Sequence, residues 1–172
     1  MNKSLVVAAA IAAVISGSCG YHVAGTTNLL PKNVQTIAIP AFGNGTTVYK
    51  ISDLLSEAVT REFISRTRYH IISDPSKADA TLEGAVTQIF TFPIVYDPVT
   101  FRAANVEVHV GLRFRLVDKA GKVLFDRPGM EAHERYEVSV DPKVYFDESD
   151  VGLRRLSRDV ATTIVSEILE NF

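Results

Sequence analysis

The chain holds one cysteine and no tryptophan, and its charges nearly cancel, with 18 Lys and Arg against 20 Asp and Glu. A single cysteine excludes an intrachain disulfide framework and a cysteine-rich zinc site. A formal net charge of −2 argues against a general nucleic-acid binder, which carries a clear basic excess. Long apolar runs are scarce too. The longest covers residues 5–15, whereas a bilayer-spanning helix needs roughly 20 apolar residues. Catalytic patterns are also missing. No G-x-S-x-G elbow marks a hydrolase. The run Gly43-Asn44-Gly45-Thr46-Thr47 lacks the spacing and the lysine of a phosphate loop, and reads as a turn. The four histidines, His22, His70, His109 and His133, share no helical i, i+4 spacing and no carboxylate cluster, so they read as solvated or hydrogen-bonded. Asp147, Glu148 and Asp150 read as charges at a helix start. No catalytic residue, metal ligand or cofactor site is expected. What is there is enough for a core: 172 residues, 47% of them hydrophobic, suit one folded domain rather than a disordered chain.

The N-terminus is the first positive signal. Lys3 precedes the apolar run 5–15, and the small residues Ser16-Gly17-Ser18 lead into Cys19. That is the layout of a secretory signal. A sole cysteine at this point resembles the lipobox of bacterial lipoproteins, in which the thiol is acylated, with palmitate among the chains, and the leader is cut just before it. Ser16 departs from the aliphatic residue usual at that place. The expected organisation is a signal peptide over residues 1–18, a lipidated tether over 19–34, and a single domain over 35–172. Gly20, not Asp, follows the cysteine, which by the same resemblance points to the outer membrane.

Beyond the tether, residues 35–42 read as a first strand, limited by Pro40 and broken by Gly43-Asn44-Gly45. Ile51, Leu54, Leu55, Ala58, Val59 and Phe63 make a helical stripe within residues 49–66. Residues 69–73 and 80–92 read as strands, the second interrupted at Pro93. Val106, Val108, Val110, Leu112, Phe114 and Leu116 alternate with polar residues, as in a half-buried strand. A turn at residues 118–121 and a return strand with a break near Pro128-Gly129 follow. Residues 150–172 carry a second helical stripe, Leu153, Leu156, Val160, Ile164, Ile168 and Leu169, with Asp147 or Ser149 as its cap. The expected fold class is α+β: a mixed, mostly antiparallel sheet of about four strands with two amphipathic helices packed on one face. The other face is left to water or a partner. Two surface features stand out. One is the polar strand face with Arg113 and Arg115, extended by Arg102. The other is residues 90–102, FTFPIVYDPVTFR, too apolar for a solvated loop, which either folds into the core or packs against protein or lipid.

Several segments together carry a resemblance: Cys19-Gly20-Tyr21-His22-Val23, then PKNVQTIAIPAF at 31–42 with Asn44 and Thr46, then Ala78-Asp79-Ala80-Thr81-Leu82-Glu83-Gly84, then the late hairpin and closing helix. The chain resembles the LptE family of lipopolysaccharide-assembly outer-membrane lipoproteins. The resemblance implies a lipid-anchored protein of the outer membrane, its domain facing the periplasm or a barrel lumen. It implies a partner, the LptD β-barrel, which the lipoprotein plugs and helps to assemble. It also implies binding of lipopolysaccharide, and neither catalysis nor a cofactor. Basic loop residues would meet the lipid's phosphates, and Arg102 and Lys143 are the candidates by position. The TIAIPAF strand and its following helix are also similar to the CsgG and LpoB lipoproteins, a secretion-pore subunit and a cell-wall synthase activator.

Overall fold

The structure, a computed structural model, describes residues 30–138 and 142–171, giving only the backbone of 142–148. The signal segment, Cys19, His22 and the side chain of Lys143 lie outside the described residues. The elements run β1 (Thr36–Ala38), β2 (Gly43–Asn44), α1 (Lys50–Arg66), β3 (His70–Ile72), a single 3₁₀ turn (Pro75–Lys77), β4 (Ala80–Tyr96), β5 (Ala103–Asp118), β6 (Val123–Glu137) and α2 (Pro142–Glu170). They form one six-stranded sheet in the order β3-β1-β4-β5-β6, with β2 also paired to β4. The short strands pair in parallel, and β4, β5 and β6 are antiparallel. The class is the expected α+β, with six strands rather than about four.

The alternation along β5 decides which face is covered. Val106, Val108, Val110, Leu112, Phe114 and Leu116 are all buried, while Arg113 and Arg115 face solvent. Their buried partners are the two helix stripes. Ile51, Leu55, Val59 and Phe63 of α1 and Leu156, Val160, Ile164 and Ile168 of α2 join the strand residues in one core cluster. Leu30 and Val34, read as tether from the sequence, are buried in the same cluster. Leu30 N–H donates to the Tyr69 hydroxyl at 3.1 Å. The chain enters β1 beside the start of β4, where the Asp79 carboxylate accepts from Gln35 N at 3.0 Å and Thr36 N at 2.9 Å.

Several boundaries differ from the sequence reading. Pro40, lacking an N–H, ends β1, and the chain pairs again only at Gly43-Asn44, which forms β2 rather than a break. Phe42 lies across Gly84, where an added Cβ would stand 2.7 Å from the Phe42 ring, and meets Phe114 edge-on at 5.6 Å. β4 does not stop at Pro93 but continues to Tyr96. Past Val86 its only strand neighbour is β5, and an edge strand tolerates proline. Likewise β6 passes through Pro128-Gly129 at a register shift. Helix α2 begins at Pro142, so Asp147, Ser149 and Asp150 sit inside it and none of them caps it. Asp150 instead receives Lys50 Nζ at 2.5 Å and Arg154 Nε at 3.2 Å, and Lys50 holds its carboxyl below the usual range. The expected turn at Asp118 is present, with Gly121 at φ 84° and the Asp118 carboxylate accepting from Ala120 N and Lys122 N.

Candidate interaction surface

Strands β4 and β5 run on together beyond the helices. The first seven residues of β4 alternate into the core, and from Thr87 onward none is buried. Residues 90–96 are therefore strand and not loop, 97–102 form the turn, and none of them is a core segment. They are the outer half of a hairpin. Phe90, Phe92, Ile94, Val95 and Tyr96 are exposed along β4, and Val99 and Phe101 are 82% and 80% exposed at the turn. Strand pleating sends Phe90 and Phe92 to the face of His109 and sends Thr91 and Pro93 to the other, and register shifts beyond Pro93 break the alternation before the exposed Val95 and Tyr96.

The turn itself is built from Asp97. Its carboxylate accepts from Thr100 N at 2.6 Å, Thr100 Oγ1 at 2.9 Å and Val99 N at 2.9 Å, and the Thr100 N–H holds its pKa down. Two backbone bonds, Asp97 N to Arg102 O and Phe101 N to Asp97 O, close the loop. Phe101 adopts φ 56°, a left-handed conformation that L side chains rarely take. A strained turn thus presents two apolar side chains to solvent. Asp97 is occupied by the turn, leaving Arg102 as the outward charge of residues 90–102.

Below the apolar half lies the free sheet face. His109 of β5 stands between two carboxylates, Nδ1 2.8 Å from Glu131 Oε1 and Nε2 3.0 Å from Glu107 Oε2. Arg135 Nε donates to Glu107 Oε1 at 2.6 Å. Phe92 meets His109 edge-on at 5.6 Å, and His133 stacks on it at 5.7 Å. Glu131 and then Glu107 push the His109 pKa up, while Arg135 and then His109 pull that of Glu107 down. Further along, Arg115 lies across from Glu83 on one side and Asp126 on the other. Among the described residues no group of His, Cys, Asp or Glu has the arrangement of a metal site.

The family model described as lipopolysaccharide-assembly, LptE, matches residues 34–168. The chain belongs to the LptE family. No curated protein matches it at the sequence level. Solved structures share the fold at low identity. A lipoprotein from Caulobacter crescentus CB15 aligns at TM-score 0.56 and 16% identity over 80% of this chain and 90% of that one. A protein from Xanthomonas campestris aligns at 0.55 and 12% over 82% and 89%. The rare lipoprotein B of Shewanella oneidensis aligns at 0.51 and 13% over 78% and 94%.

Within this LptE-family fold, the two cations singled out from sequence fall at one end of the sheet. Arg102 closes the hairpin turn. Lys143 sits in the first turn of α2, which follows the end of β6, where Glu137 pairs with Asn105 close to the hairpin turn. The side chain of Lys143 lies outside the described residues. Arg113 and Arg115 lie nearer the other end, on the free face. Sequence reading missed the His109 constellation because its members come from two strands. Among the described residues no helix is long and apolar enough to cross a membrane.

Proposed function

We propose that this lipopolysaccharide-assembly protein is an outer-membrane lipoprotein, cut after residue 18 and anchored through acylated Cys19. In this reading it plugs and helps assemble an LptD-type β-barrel, and it binds lipopolysaccharide in transit to the outer leaflet. It catalyses no reaction and uses no cofactor. The observation that carries the proposal is the exposed apolar hairpin with its single outward cation. A solvated domain gains nothing by displaying seven large apolar side chains in one stretch, so their surroundings in use must be largely apolar. An amphiphile with acyl chains and phosphates fits an apolar ribbon beside Arg102.

Length supports the same reading. β4 has 17 residues, hence about 55 Å at roughly 3.3 Å per residue. The chain enters at one end of it, beside Asp79, and the apolar tip is at the other. The bilayer's hydrocarbon core is about 30 Å thick. A domain tethered at the periplasmic surface could therefore send its hairpin through a barrel lumen. The charged free sheet face suits the polar wall of such a lumen.

Two experiments test this. Full-length protein drawn gently from its own outer membrane is expected to bring a stoichiometric large β-barrel. A self-assembled ring or a cell-wall synthase in its place would favour the CsgG and LpoB likeness. In a lipopolysaccharide titration, Arg102→Glu combined with Lys143→Glu is expected to weaken binding several-fold without unfolding the protein. Unchanged binding would remove these two residues from the site.

A further inference from the structure

The free sheet face carries a constellation that the barrel reading does not use. Both ring nitrogens of His109 lie at hydrogen-bond distance from carboxylate oxygens, 2.8 Å to Glu131 and 3.0 Å to Glu107. An ionised carboxylate only accepts, and a neutral imidazole has one N–H to donate. The two bonds exist together only when the ring is an imidazolium. We infer that His109 is a proton-dependent brace between β5 and β6, clamping Glu107 and Glu131 when protonated and releasing one of them when not.

The surroundings say which bond is lost. Glu107 is 15% exposed at its side chain and keeps Arg135 as a second partner. Glu131 is 64% exposed at its side chain and meets His109 at the rim of the cluster. Deprotonation therefore frees Glu131. The charged and titratable groups facing His109 are Glu107 on its own strand and Glu131, His133 and Arg135 on β6. On the β4 side it meets Phe90 and Phe92, which carry no charge. Among the described residues no helix lies over this face. The ion cluster of Glu107, Glu131, His109 and Arg135 goes from balanced to one net negative charge when the proton leaves His109.

The consequence reaches the hairpin. Two hydrogen bonds fix the His109 ring, and Phe92 rests edge-on against it with Phe90 beside Phe92. Loss of one bond lets the ring turn and unseats the aromatic pair at the base of the apolar ribbon. The two carboxylates hold the proton above the ordinary histidine value of about 6.5. The brace is thus complete below that value and is lost as pH rises through the raised one. The inference stands whether or not the hairpin enters a barrel.

The test uses the full chain in zwitterionic detergent micelles. Side-chain ¹⁵N NMR across pH 5–9, with histidines assigned by single His→Gln variants, reads the protonation of each ring. The midpoint of His109 is expected to lie above the ordinary histidine value, with both N–H groups present below it, and Glu131→Gln is expected to lower it. Amide protection in the β5–β6 pairs around His109, corrected for intrinsic exchange, is expected to fall as pH passes that midpoint in the unmodified chain. His109→Gln should abolish this pH dependence. A His109 midpoint at or below the ordinary histidine value in the unmodified chain would overturn the inference, and so would the same protection profile in His109→Gln.

Discussion

Gly84 and Phe42 offer a quantitative test of how the sheet is joined to its first strands. A methyl group at position 84 would stand 2.7, 2.8 and 2.9 Å from three atoms of the Phe42 ring. That ring is 6% exposed and held edge-on against buried Phe114, so it has little room to retreat. Gly84→Ala should therefore cost about 1–3 kcal/mol, the usual range for overpacking a core. Phe42→Ala should cost about 3–5 kcal/mol, as for other buried aromatics. The decisive term is their coupling. With Phe42 already truncated, the clash is gone, and alanine at 84 restricts the unfolded chain, gaining about 0.4–1 kcal/mol. The same substitution should thus change sign between backgrounds, with a coupling energy of roughly 1.5–4 kcal/mol, well beyond the additivity expected of independent sites. Urea titration followed by far-UV circular dichroism, which needs no tryptophan, gives all four stabilities. An equal cost of Gly84→Ala in both backgrounds would refute the contact as the reason for glycine here.

Two other outcomes follow from single groups. The Asp79 carboxyl is held low first by the Gln35 N–H and then by the Thr36 N–H, so its contribution is fully present above the ordinary aspartate value. That contribution should disappear as pH falls through the lowered folded value, and Asp79→Ala should flatten the acid limb of a stability–pH profile; an unchanged limb would contradict the assignment. Phe101→Gly removes an L side chain from a left-handed position, so it should leave thermal stability unchanged or raise the unfolding free energy by up to about 1 kcal/mol. The same variant should weaken recovery of the barrel in the pull-down. A clear loss of stability would mean that the Phe101 ring supports the fold rather than a partner.

What was legible in the sequence follows from which residues have a single compatible environment. The β5 alternation and the two helix stripes could bury their apolar residues in one way only, and each of those residues apart from half-buried Ala58 is in the core. Punctuation was harder. Pro93 and Pro128 break strands that have neighbours on both sides, yet neither does so here, since Pro93 lies on an edge and Pro128 at a register shift. Pro142 was a start signal for α2 that the apolar stripe alone did not contain, because the stripe begins three turns later. The His109 brace could not be counted from the turn. Pairing carried back from Val117 and Val123 without a slip would set His109 opposite Glu131. Two register shifts, after Val117 and beyond Phe114, set it opposite His133 and leave Glu131 on the diagonal, within reach of a ring nitrogen.

The same strand pair serves two ends that make opposite demands on sequence. Near its start, β4 contributes Ala80, Leu82 and Val86 to the core, and a polar substitution there would leave a group buried without a partner. Past Thr87 none of its own residues is buried and, among the described residues, its outer edge pairs with no strand, so this stretch is held mainly by its ladder to β5, whose Val106, Val108 and Val110 are buried. Pro93 suits this stretch because it denies an incoming strand a complete set of donors, a protection that an exposed apolar edge requires. Stability therefore resides in the helix-covered half. The outer half of β4 carries aromatic and aliphatic side chains outside the core, an exposure that the proposed barrel partner would account for.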